Sequence, residues 1–179
     1  MGMGPGAEED YVANLAPMMS SAKMDWRTPA SVLDRVRRVR AIGLDPCPAE
    51  DSEHWFATSN LQRPKYDGLT APWMDYVDCL RELVFVNPPY GRALGDWMRA
   101  CASNSYGLHI IALVPARTDT NWFRWCWGAD AICFLRGRIT FEGAPAPAPF
   151  PSCLPFWGEA VHRFRDAFAD AGHIVVNHG

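Results

Sequence analysis

Apolar residues along this chain follow two spacings. In PASVLDRVRRVRA (residues 29–41), Val32, Val36 and Val39 recur every three to four positions with arginines between them. A Thr28-Pro29 step stands ahead of them, and together these predict a surface helix that starts at that step. ALGDWMRACAS (93–103) and EAVHRFRDAFADAG (159–172) predict two further helices, the second closed by its glycine. Other runs are apolar at nearly every position. LVFV (83–86) and LHIIALVPAR (108–117) read as buried strands stopped by proline, and AIGLDPC (41–47) as a short strand carrying Asp45 at its carboxyl end. Strand, helix and strand over 83–114 predict a right-handed parallel crossover.

The rest of the chain is less regular. AICFLRGRITFEG (131–143) is β-rich, the proline-rich EGAPAPAPFPS (142–152) must be a loop, SCLPFW (152–157) pairs back as an antiparallel strand, and HIVVNH (173–178) supplies a last strand. TNWFRWCW (120–127) reads as a helical turn. Residues 49–80 are mixed, with a helix expected near AEDSEHWF (49–56) and a loop at QRPKYDGLTAPW (62–73). Residues 1–21 read as a flexible leader and 22–179 as one α/β domain without internal repeats.

Composition narrows this picture. A chain of 179 residues, 49% hydrophobic, can bury one full core without disulfide or metal staples. A formal charge of -3 excludes a protein that coats nucleic acid by bulk electrostatics and leaves room for a local basic face. The six cysteines form no C-x-x-C pair, and the five histidines have no ligand spacing, so reduced thiols and no metal are expected. No apolar run reaches the roughly 18–20 residues of a membrane span, and the opening residues lack a signal-peptide pattern. A cytoplasmic protein with no membrane partner is the expectation.

The most informative tetrapeptide is Asn87-Pro88-Pro89-Tyr90, directly after the strand at 83–86. Ligands of open parallel sheets bind beyond the carboxyl ends of strands. An amino group conjugated to a base ring is a poor nucleophile, and it improves when acceptors pull on its hydrogens. The Asn87 side-chain oxygen and the Pro88 carbonyl, fixed in direction by the rigid Pro-Pro step, are such acceptors, and Tyr90 can stack on the base. The same four residues would also serve as a plain strand-ending turn. Adenine N-6 and cytosine N-4 present the same chemical problem, so these residues do not choose between them.

DWRTP (25–29), LDPC (44–47), DGL (67–69), NPPYG (87–91), LVPARTDTNWF (113–123) and FLRGRITFEG (134–143), in this order, resemble the phage-type DNA N-6-adenine methyltransferases. The resemblance covers about residues 25–157. It implies an abbreviated, single-domain class I adenosylmethionine-dependent methyltransferase sheet of Rossmann-like type with a C-terminal antiparallel strand pair. It further implies S-adenosylmethionine as cofactor, a flipped adenine in DNA as substrate, and a phage or prophage enzyme of the restriction-modification setting, acting in the bacterial host cytoplasm. By the same resemblance Asn87, Pro88, Pro89 and Tyr90 are catalytic. Asp45, with Pro46 and Cys47, binds the methionine end of the cofactor, Trp26, Thr28 and Pro29 form the preceding cofactor-contact segment, Asp67 and Leu69 hold the cofactor adenine, and Asn87 borders the cofactor.

Ordinary readings exist beside these, with Thr28 as a helix cap, Trp26 as a core anchor and Asp67-Gly68 as a turn. Arg117 and Thr118 follow the second buried strand and are expected to contact DNA, or with Asp119 to cap the next helical turn. Arg136 and Arg138 alternate around Gly137 on one strand, so that both would share a face, as phosphate contacts or as plain solvated charge. The sequence departs from a full methyltransferase pattern. Asp-Pro-Cys-Pro replaces a glycine-rich cofactor loop, and only about 36 residues separate Cys47 from the strand before Asn87. A DNA-binding protein of the same fold that has lost turnover, or a cytosine N-4 enzyme, is the alternative reading.

Overall fold

The computed structural model describes residues 27–50, 53 and 55–178. Helix α1 (Ala30–Val39) buries Val32, Leu33, Val36 and Val39, the stripe that its spacing predicts. It does not start on a Thr28 cap. Pro29 occupies the N-cap position without a side-chain bond, and the Ala30 N–H is met by Glu142 Oε1 at 3.1 Å from the far end of the chain. Strand β1 (Ala41–Asp45) follows at once.

Strands β2 (Ser59–Asn60), β3 (Glu82–Val86), β4 (Ile110–Ala112), β5 (Val114–Pro115), β6 (Ala131–Leu135), β7 (Ser152–Trp157) and β8 (Gly172–Val176) complete one sheet in the order β2-β1-β3-β4-β7-β6-β8, with β5 pairing β7 beside β4. Pairings β1–β2, β1–β3 and β3–β4 are parallel, and β7 and β8 add an antiparallel end. That end is larger than the expected pair, because β7 runs antiparallel to β4, β5 and β6, and β8 then adds to β6. The run at 108–117 is not one strand: it divides at Leu113 into β4 and β5, which share β7 as a neighbour.

Helices α2 (Leu94–Asn104) and α3 (Arg124–Trp127) pack on one face of the sheet, and α1 with α4 (Val161–Phe168) on the other, which gives two apolar layers, around Met98 and Trp157 and around Phe85 and Phe164. Arg35 of α1 joins both carboxylate oxygens of Asp170 and the Ala167 carbonyl, which ties the first helix to the last. Burial holds the core thiols protonated, Cys133 pushed up to about 11 and Cys126 to about 12.

The connection from β1 to β3 holds only the two-residue β2 and a 3-10 turn at Trp73–Tyr76, and no α-helix among the described residues. The helix expected near residues 49–56 falls in part on residues outside the described ones, between which only Glu53 is described, in 3-10 conformation. Gly68 explains how so short a connection closes. A Cβ on Gly68 would overlap the Pro46 carbonyl oxygen, so the Asp67-Gly68-Leu69 turn lies directly on the Asp45-Pro46-Cys47 turn. The Trp73 indole N–H fixes it by donating to the Gly68 carbonyl at 2.7 Å. Among the described residues no helix is long and apolar enough to cross a membrane.

Candidate active site

Because β1 and β3 are adjacent and parallel, Asp45 and Asn87 stand at neighbouring strand ends on the same edge of the sheet, Asn87 about two residues beyond the position opposite Asp45. A cleft of about 1100 Å³ opens there. Its walls include Asp45, Pro46, Cys47, Asn87 and Pro89, with Thr28 and Leu33 on one side, Leu61 and Leu69 on another, and Trp55 and Phe56 at the mouth. A cleft that large, lined about equally by polar and apolar groups, is of ligand-binding size.

Asp45 is 3% exposed. Its Oδ1 accepts the Cys47 backbone N–H at 3.0 Å, yet burial dominates and pushes its pKa up to about 7. A carboxylate so placed gains most from a cation arriving in the cleft. The Cys47 thiol is pushed well up by burial and then by Asp45, and the backbone of Asn87 hydrogen-bonds to it. Thr28 is 4% exposed, and its buried hydroxyl has no partner among the described residues. Thr28 is among the cleft's lining residues, and its unpartnered hydroxyl lies just beneath that wall.

Beside the cleft, the Tyr90 hydroxyl lies 3.2 Å from Asn87 Oδ1 and 3.1 Å from the Leu113 carbonyl. Its ring meets Phe141 and Phe150 edge-on at centroid distances of 6.0 and 5.6 Å. Burial raises the Tyr90 pKa well above its ordinary value, so the hydroxyl is a donor at any working pH. Pro88 is buried and Pro89 exposed at the cleft wall.

A family model described as DNA N-6-adenine-methyltransferase (Dam) matches residues 17–150. The chain belongs to this family. No curated protein matches it. The match spans α1 through the proline-rich loop and so contains every wall of the cleft, whereas β7, α4 and β8 lie beyond it. The family's described activity is N-6 methylation of adenine in DNA, which implies a DNA substrate and a methyl donor.

The structure brings Thr28, Asp45, Pro46, Cys47, Leu69, Asn87 and Pro89 to one cleft, and Pro88 and Tyr90 are not among its lining residues. Pro29 sits behind the cleft at the start of α1, and Trp26 lies outside the described residues. Asp67 stands apart from the walls. Its Oδ1 accepts from the Leu69 N–H at 3.1 Å and from Arg63 at 2.9 Å, and Arg63 first, then Leu69, lowers its pKa. It therefore shapes the turn that presents Leu69.

Arg117 and Thr118 are exposed just past β5, on the edge that holds Asn87, and the Arg117 guanidinium lies 5.9 Å from the Phe150 ring. Neither Thr118 nor Asp119 caps the following turn, whose N-cap is Thr120 without a side-chain bond. Arg136 and Arg138 do not alternate along a strand. β6 ends at Leu135, and Gly137 turns the chain with φ +77° between them, so the two-residue period of a strand does not apply. Both arginines are exposed at the same edge of the sheet.

Glu142 escaped the sequence reading. It lines the cleft, its N–H donates to the Arg27 carbonyl at 3.0 Å, and its carboxylate caps α1. The signal was its place as the sole acid of FLRGRITFEG.

Proposed function

We propose that this protein transfers a methyl group from S-adenosylmethionine to the exocyclic N-6 amino group of adenine in DNA, using the Asp45–Asn87 cleft. The observation that carries the reading is that Asp45 and Asn87, at the ends of adjacent parallel strands, line one cleft together with Thr28. The donor set fits the cofactor. Asp45 would hold the ammonium of its methionine end, the Thr28 hydroxyl would reach its polar groups, and Leu61, Leu69 and the rings of Trp55 and Phe56 would bury its adenosine end. When bound, adenosylmethionine supplies an electrophilic methyl on a sulfonium.

Asn87 Oδ1 and the Pro88 carbonyl would accept the two hydrogens of the target amino group. Those acceptors raise electron density on the nitrogen and orient its lone pair. The amino nitrogen so oriented would take the methyl that the bound cofactor supplies, and its extra proton would leave to water, with no covalent enzyme intermediate. A base in a duplex cannot reach such a cleft, so it is extruded, with Tyr90 as the ring against which it rests and Arg117, Thr118, Arg136 and Arg138 along the flanking backbone.

The test is transfer of labelled methyl from adenosylmethionine to DNA, followed by digestion and separation of methylated nucleosides. Label in N-6-methyladenine that is lost in Asn87→Ala is the expected result. Loss of a transition-state acceptor of this kind lowers rate by about 100 to 1,000-fold. Label in N-4-methylcytosine, or none from the parent protein, overturns the reading.

A further inference from the structure

At the antiparallel end of the sheet, the face that carries α2 and α3 is only partly covered. Phe134 and Ile132 of β6 point to it, and their partners across the ladder on β8, His173 and Val175, share it. The Trp127 indole rests 6.3 Å from the Phe134 ring and is 47% exposed, and Val175 is 48% exposed. Arg124, one turn ahead of Trp127, is exposed with its guanidinium 5.0 Å from the Trp125 ring, and Arg136 leaves β6 two residues after Phe134. β6 and β8 contain no acidic residue. The nearest acid in the chain, Asp130, accepts the Gly158 N–H at 2.7 Å at the opposite end of β6.

An aromatic surface edged by arginines, with no acid on either of its two strands, complements bases and phosphates better than it complements another protein. We propose that this face, centred on Trp127, binds an unpaired stretch of DNA, with one base stacked on the indole and Arg124 and Arg136 on adjoining phosphates. The proposal rests on the DNA methyltransferase reading and extends it. From β3, which carries Asn87, to β6 is three strand spacings, roughly 14 Å, a few nucleotides of strand. A strand opened to extrude a base at the cleft therefore has Trp127 within reach.

Binding of a fluorescent single-stranded oligonucleotide and of its duplex to the full chain tests this, in the parent, Trp127→Ala, Trp127→Phe and Asn87→Ala proteins. Trp127→Ala should weaken the single strand about tenfold and the duplex less, with an unchanged salt slope, because stacking carries no counterion release. Trp127→Phe, which keeps a ring against Phe134 and guards against misfolding, should restore most of the affinity. Equal single-strand affinity in Trp127→Ala and the parent overturns the proposal. So does sedimentation showing a parent dimer that Trp127→Ala dissociates, which would make the face a contact between copies of this chain. Asn87→Ala separates the two readings, since it should remove transfer and retain the Trp127-dependent complex. If the parent transfers no methyl while the Trp127 effect stands, the catalytic reading fails alone.

Discussion

The hydroxyl of Tyr90 sits 3.2 Å from Asn87 Oδ1, so the two polar ends of the Asn-Pro-Pro-Tyr turn are joined to each other before any substrate arrives. A hydroxyl has one hydrogen to give, and here it chooses between Asn87 and the Leu113 carbonyl at 3.1 Å. Donated to Asn87, that hydrogen fixes which end of the amide is oxygen and where that oxygen points. Tyr90 thus positions Asn87 in addition to offering its ring to the base.

Tyr90→Phe is therefore expected to lower kcat by roughly five- to tenfold, the scale of about 1 kcal/mol for one hydrogen bond, with cofactor affinity unchanged. Tyr90→Ala should fall further, because about 1–3 kcal/mol of base stacking goes with the ring, and Phe141 and Phe150 are left without the ring they pack on. Single-turnover rates beside calorimetry of cofactor binding distinguish the cases. A Phe variant as fast as the parent would leave the hydroxyl idle.

Asp45 predicts two opposite responses to pH. Its carboxyl titrates near 3.8 when unfolded and near 7 when folded, because burial disfavours the charged form. Between those values the folded state holds the extra proton, so ligand-free stability should fall as pH rises from about 4 to 7, by up to about 1.4 kcal/mol per pH unit, and level off above. Cofactor affinity should do the reverse and weaken below pH 7, where the carboxylate that meets the ammonium is lost. Asp45→Asn should flatten both profiles and weaken cofactor binding at least tenfold at pH 8, since a charge-assisted bond contributes about 1.5–3 kcal/mol. Thermal melts and calorimetry from pH 4 to 8 check both. A parent protein whose cofactor affinity is flat across pH 7 would remove Asp45 from the cofactor site.

Glu142 joins the end of the Arg136–Glu142 segment to the start of α1 through its contacts with Arg27 and Ala30. A carboxylate at a helix N-terminus meets both an orphan N–H and the positive end of the helix dipole. Glu142→Ala should cost about 1 kcal/mol, a fall in Tm of about 2–4 °C, and should weaken cofactor binding by displacing Thr28. Glu142→Gln, which keeps an acceptor, should lose less of both. Differential scanning fluorimetry with and without cofactor reads the two effects.

What could be read in the sequence follows from how local each signal is. Helix α1, strand β3 and the Asn87 turn were legible because three-to-four spacing, consecutive apolar residues and paired prolines act within a few positions. β2 was not, since Ser59 and Asn60 are polar and pair only because β1 lies beside them. Gly68 on Pro46, and Glu142 on Ala30, bring together segments about 22 and 112 residues apart, which no window along the chain contains. Arg136 and Arg138 mislead for a related reason. Strand periodicity extends on paper through Gly137, whose positive φ in fact ends the strand.

That turn leads to the last prediction. Arg136 and Arg138 stand exposed on either side of Gly137, on the sheet edge that also carries Asn87 and Arg117. Reading bases in the major groove generally requires a helix or ribbon that brings several side chains to base edges. A two-arginine turn is too small for that and well suited to phosphates. Replacing both with alanine should weaken duplex binding to a similar degree for unrelated sequences. It should also reduce the slope of log affinity against log salt by about one to two units, one for each phosphate that an arginine no longer neutralises. Sequence choice should then be short or relaxed. Two results stand against it: methylation restricted to one site of six or more base pairs, or a double variant that changes sequence preference while keeping the parent salt slope.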